Sequence, residues 1–146
     1  MSAACASSRL IWKFPSQAPT CAIVGYSETK FLNKNFDPSS PHSPVLITLP
    51  GAGIRNVVNL LDFVPRGVTK LILHVGKNDV ANTKFQDAKE RYSNLLQHIA
   101  KERPDVQATF VNLLLPRLPN RRRNPYDCPA PARFNREAHA FNCLLV

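Results

Sequence analysis

Apolar positions along this chain fall into two alternating patterns. Mostly apolar runs, without polar alternation, begin at Cys21, Val45, Leu71 and Ala108, and each stops at a turn residue: Gly25, Pro50, Gly76 and Pro116. Between them, Val57, Leu60, Leu61 and Val64 recur at helical spacing, as do Phe85, Ala88, Tyr92, Leu95, Leu96 and Ile99. Continuous apolar runs predict strands covered on both faces, whereas spaced stripes predict amphipathic helices. The first stripe predicts a helix over 54–64 ended by Pro65. The second predicts a longer helix ended by Pro104, with Thr83 and Gln86 spaced as a capping box at its start. The fourth apolar run predicts a strand over 108–115. Phe134, Ala138, Phe141 and Leu145 mark a last helical face that is still running when the sequence stops.

The rest of the chain reads as connections. Pro15 and Pro19 make residues 1–19 an irregular leader. Residues 33–44 form a loop, with turn chemistry in Asp37-Pro38-Ser39-Ser40-Pro41. A proline- and arginine-rich loop fills 116–131. Strands alternating with helices predict one α/β domain over 20–146, built on a parallel sheet. In such sheets ligands gather outside the carboxyl ends of the strands. Three segments fall there: Gly25-Tyr26-Ser27, Pro50-Gly51-Ala52-Gly53 and Gly76-Lys77-Asn78-Asp79.

Each segment has a chemical reading beside a plainer one. A serine at a glycine turn is a nucleophile if a base takes its proton, and otherwise a helix cap. A glycine after a strand brings a backbone N–H close to an oxyanion, or simply turns the chain. The Asn78 carboxamide can donate to the same oxyanion, and Asp79 reads as a cap or loop anchor.

Taken in order, the three resemble the blocks of the SGNH (GDSL) hydrolase family. The run Leu71-Ile-Leu-His-Val-Gly-Lys-Asn-Asp79 is the most specific match, and Tyr26 stands where that family has an aspartate. The likeness looks closest to esterase-like domains of some non-LTR retrotransposon proteins. It implies a three-layer α/β/α sandwich with a flavodoxin-like parallel sheet, here lacking the last strand and helix. It also implies Ser27 as nucleophile, with Gly51 and Asn78 in the oxyanion hole. The reaction implied is hydrolysis of a small ester through an acyl-enzyme, without cofactor or metal. The family's acid and base come from an Asp-x-x-His, and none follows Asn78. Of the four histidines, His42 reads as a surface residue, His74 as packed inside a strand and His98 as partly exposed. His139 lies off the last apolar face.

Charge and cysteines add a second function class. The formal net charge is +9. Eight basic and three acidic residues lie between Lys101 and Arg136. Arg117, Arg121, Arg122 and Arg123 therefore form a candidate polyanion patch, and a non-catalytic module that binds nucleic acid weakly is the alternative to an esterase. Cys5, Cys21, Cys128 and Cys143 have neither zinc nor redox spacing, and Cys21 and Cys143 read as buried thiols. The longest apolar run near the N-terminus, Leu10-Ile11-Trp12, is short for a signal peptide, and no run approaches a membrane span. The expectation is an intracellular, cytoplasmic protein that does not engage membranes.

Overall fold

A computed structural model describes residues 2–4, 11–13, 19–26, 29, 32–37, 39–40, 42–112, 114 and 129–145, with backbone alone at 2–4, 11–13, 129–132, 144 and 145. Its strands are β1 (Ser2–Ala4), β2 (Ile11–Lys13), β3 (Cys21–Gly25), β4 (Val45–Thr48), β5 (Lys70–His74) and β6 (Ala108–Val111). The α-helices are α1 (Ile54–Leu60), α2 (Lys77–Asn82), α3 (Phe85–Glu102) and α4 (Pro129–Leu145).

The sheet order is β1-β2-β4-β3-β5-β6. β4, β3, β5 and β6 run parallel, with Gly25 opposite Thr48 on one side and His74 on the other. The chain steps from β3 outward to β4, then back across β3 to β5 and on to β6. That reversal is the flavodoxin-like order, and it puts the switch point at the carboxyl ends of β3 and β5. Right-handed crossovers place α1 and α3 together on one face, and these two helices pack against each other. α4 continues that layer beside α3. The connection from β3 to β4 steps the opposite way along the sheet, and among its described residues is a 3-10 turn at Leu32–Asn35. The α/β fold with a parallel central sheet is as the alternating pattern predicts.

Burial follows the pattern too. All four residues of β4 are buried, and Ala22, Val24, Leu71 and Leu73 are inaccessible to solvent. α3 buries Ala88, Tyr92, Leu95 and Ile99, while α4 buries Phe134, Ala138 and Phe141. Phe141 meets Phe85 edge-on and tilts against Tyr92. Asp37 makes the expected turn, accepting the Ser39 N–H and hydroxyl.

Five expectations are corrected. Residues 1–19 are not wholly irregular: β1 and β2 pair antiparallel with each other, and β2 pairs with β4. Three-residue strands are too short to leave a periodic signature. The helix predicted over 54–64 gives way to a 3-10 turn at Leu61–Phe63. The predicted capping box does not form, because the Thr83 hydroxyl donates to the Asp79 carbonyl at 2.7 Å and Lys84 occupies the cap. β6 ends at Val111; beyond it, the Asn142 carboxamide replaces a neighbouring strand, bonding both the N–H and the carbonyl of Leu114. Cys143 is exposed on α4, 4.0 Å from His139.

At the amino ends of β5 and β6 the layers are held by Arg103. Its buried guanidinium donates to the carbonyls of Leu61, Val64 and Pro65 and to both carboxylate oxygens of Asp105. These bonds give the Val64 carbonyl a donor and add a second donor to the Leu61 and Pro65 carbonyls, which also accept the Val64 and Val68 N–H groups. They also hold the Asp105 carboxyl down at about 2, from an ordinary value of 3.8. We expect Arg103→Met to lower unfolding free energy by about 3 kcal/mol in urea melts, because it removes donors from three carbonyls, leaves the Val64 carbonyl without its guanidinium partner and breaks a charged pair. An unchanged midpoint would show that the clamp is dispensable. Because the carboxyl is depressed in the folded state, its stabilisation is present above pH 4 and is lost as pH falls toward 2. Asp105→Asn should therefore flatten the acid limb of stability between those values.

Candidate functional site

Leu49, Pro50, Gly51 and Ala52 leave β4 as a β-turn closed by the Ala52 N–H on the Leu49 carbonyl at 3.0 Å. Proline in the second place and a positive φ of 77° at Gly51 make it a type II turn, which only glycine occupies without strain there. Gly51 is exposed, and space around it is open. The turn is tied back to β3 by the Leu49 N–H on the Gly25 carbonyl at 3.0 Å.

Gly76 ends β5 in the left-handed region, and α2 begins at once. Asn78 is half-buried in its first turn and donates from Nδ2 to the Ala52 carbonyl at 3.1 Å. A carboxamide nitrogen carries two hydrogens, so this bond anchors one N–H and fixes the plane of the other. The second and third segments are thus bonded directly to each other across the end of β3, which lies between β4 and β5.

Asp79 is more than a cap. Its buried carboxylate accepts the Ile54 N–H through Oδ2 at 2.8 Å and the Arg91 guanidinium through Oδ1 at 2.8 Å. Gly53 allows this approach, since a Cβ there would stand 3.1 Å and 3.2 Å from the two carboxylate oxygens. The Asn56 side chain accepts the Gly53 N–H at 2.8 Å, completing the start of α1. Arg91 is the residue that motif reading passes over. An arginine on the polar side of an amphipathic helix carries no periodic signal of its own.

Gly25 closes β3 under tight constraint. A Cβ would lie 2.5 Å from Thr29 Cγ2, 2.9 Å from its hydroxyl and 3.1 Å from the His74 carbonyl. Thr29 is buried, donating to the Tyr26 carbonyl and sharing a 2.8 Å bond with the Thr48 hydroxyl. Tyr26 is buried and stacks on His74, with ring centroids 5.3 Å apart. His74 Nδ1 lies 3.2 Å from the Asn112 carboxamide. Tyr26 and His74 therefore form a packed aromatic pair at the end of β3. Ser27 lies outside the described residues, as do Arg117, Arg121, Arg122 and Arg123, and Cys5 and Cys128.

Titration at the site's margin is shaped by burial. Burial pushes the Tyr92 phenol well up, with the Asp79 charge adding to the effect. Burial also raises the Cys21 thiol, opposed by the nearby Lys70 ammonium. His42 is exposed and His98 half-exposed, matching expectation. Among the described residues, no three metal-ligating side chains gather. No helix among them is long and apolar enough to cross a membrane.

No family model matches the sequence, and no curated protein matches it. A solved structure from Streptococcus pneumonia, described provisionally as a platelet activating factor, has the same fold. The TM-score is 0.59 at 18% identity, over 83% of this chain. The alignment spans 59% of that protein's length.

Gly25→Ala is expected to destabilise the fold by about 2 kcal/mol, since the added carbon overpacks a site with no slack. Thr29→Ala in the same chain should recover part of that loss by removing the atoms it strikes. Calorimetric melts of the single and double variants check this. A single variant as stable as the parent would mean that the strand ends are looser than described.

Proposed function

We propose that this chain is an SGNH-type serine esterase domain acting on a small ester through an acyl-enzyme. The observation that carries the reading is the Asn78–Ala52 hydrogen bond. It joins a carboxamide donor to the glycine turn that offers a backbone N–H, at the carboxyl edge of a parallel sheet. In this reading Ser27, which follows Gly25 and Tyr26 from the adjacent strand, attacks the ester carbonyl. The tetrahedral oxyanion is met by the Gly51 N–H and the free N–H of Asn78.

Such donors act because they are fixed before charge develops, and losing one costs about 3 kcal/mol of transition-state stabilisation. The turn at Leu49–Ala52 and the bond to Ala52 supply that rigidity. The retrotransposon-related likeness is part of the same proposal and rests on the Gly76-Lys77-Asn78-Asp79 run. No general base is assigned among these 146 residues. General-base assistance contributes about 10²–10⁴-fold, so turnover by the chain alone is expected to be slow.

p-Nitrophenyl acetate hydrolysis measures it. We expect Ser27→Ala to abolish turnover above background and Asn78→Ala to lower kcat by about 10²–10³-fold. Equal rates for the parent and Ser27→Ala would remove the catalytic assignment.

A further inference from the structure

The loop from β4 to α1 is gripped on either side of Gly53 by two consecutive side chains of α2. Asn78 holds the Ala52 carbonyl before Gly53, and Asp79 holds the Ile54 N–H after it. α2 has only six residues. A helix that short has little stability of its own, so its orientation depends on tertiary ties. Those at its far end are local: the N–H and the hydroxyl of Thr83 both return to the Asp79 carbonyl. The Arg133 guanidinium reaches the Ala81 carbonyl from α4 at 3.1 Å, but on an exposed surface.

Val80 anchors α2 in the core, and Arg91 supplies a buried polar tie. It projects from α3, an 18-residue helix whose apolar stripe is locked into the core. Its Nη1 meets Asp79 Oδ1 at 2.8 Å, with the carboxylate side chain 1% exposed. The two carboxylate oxygens thus have separate partners, one on α3 and one at the start of α1. A carboxylate held at both oxygens cannot rotate, and the adjacent Asn78 is held with it. Arg91 Nε is buried without an acceptor among the described residues. Stability alone would favour satisfying that donor or replacing it by an apolar group.

We propose that Arg91 is a positioning residue for the oxyanion donors, setting through Asp79 both the Asn78 carboxamide and the glycine turn of Ala52. This rests on the esterase reading for its purpose, while the coupling itself is physical and separately measurable. Arg91→Met keeps the aliphatic stem and removes the ion pair. Arg91→Lys keeps a charge but not the planar donor.

The test is amide exchange and side-chain resonances in the ¹⁵N-labelled 146-residue chain. In Arg91→Met, we expect the Ile54 amide to exchange at least about tenfold faster and the Asn78 carboxamide resonances to shift. Amides of β3 and β5 should stay protected, and Arg91→Lys should restore part of the effect. Unchanged Ile54 and Asn78 signals would overturn the proposal, as would uniform acceleration of every amide, which marks a purely structural role. If Arg91→Met fails to fold, Arg91→Lys and Asp79→Asn carry the same comparison. Where ester turnover is measurable, kcat should fall in Arg91→Met with KM unchanged, and a KM effect alone would count against it. A chain with no turnover removes the catalytic reading, while the exchange pattern still decides the coupling.

Discussion

The buried Asp79 carboxylate is the constraint around which the strand ends are organised. A charge removed from water must be met by donors, and here they come from two directions: a guanidinium on α3 and a backbone N–H at the start of α1. Meeting both fixes the distance between the loop after β4 and the helix after β5. Asn78 follows because it is the neighbouring residue in the same turn. Gly53 follows because any Cβ would intrude on the carboxylate. The candidate chemistry therefore rests on a residue that touches no substrate in the proposed reaction.

The two ends of the sheet are held differently. At the amino ends, the Thr20 carbonyl accepts the N–H groups of Thr69 and Lys70, and the Thr69 carbonyl accepts those of Gln107 and Ala108. Arg103 then binds three carbonyls and a carboxylate. That end is redundant, and losing one bond leaves others. At the carboxyl ends, the ties run between loops: Leu49 to Gly25 joins the ends of β4 and β3, while Asn78 to Ala52 and Ile54 to Asp79 together join the loop after β4 to α2.

Much of this was legible in the sequence because it depends on composition over several residues. The four parallel strands, the long helix and the glycine exits all announce themselves as runs, stripes and turn residues. The Gly76-Lys77-Asn78-Asp79 segment was legible as a candidate donor, and its neighbour Gly51 as a turn. What was hidden depends on single pairings across the fold. Arg91 and Arg103 look alike in sequence, as basic residues on and at the end of one helix, yet only three dimensions show that each meets a buried acceptor. The Thr83 hydroxyl has two kinds of partner close in sequence: a carbonyl behind it to which it can donate, and N–H groups ahead from which it can accept. It donates to the Asp79 carbonyl, on a helix that ends there. β1 and β2 were hidden for a different reason: their place comes from pairing, β2 with β4 and β1 with β2, not from any pattern of their own.

Tyr26 is placed by contact rather than by charge pairing. A carboxylate beside β3 would need donors, and the buried positions around it are already taken by Thr29, Thr48 and the His74 carbonyl. An aromatic ring needs only contact, which the His74 imidazole supplies in a near-parallel stack. The first segment is thus held by packing and hydrogen bonds together: the Gly25 carbonyl accepts the Leu49 N–H, and the Tyr26 carbonyl accepts the Thr29 hydroxyl, beneath the aromatic stack.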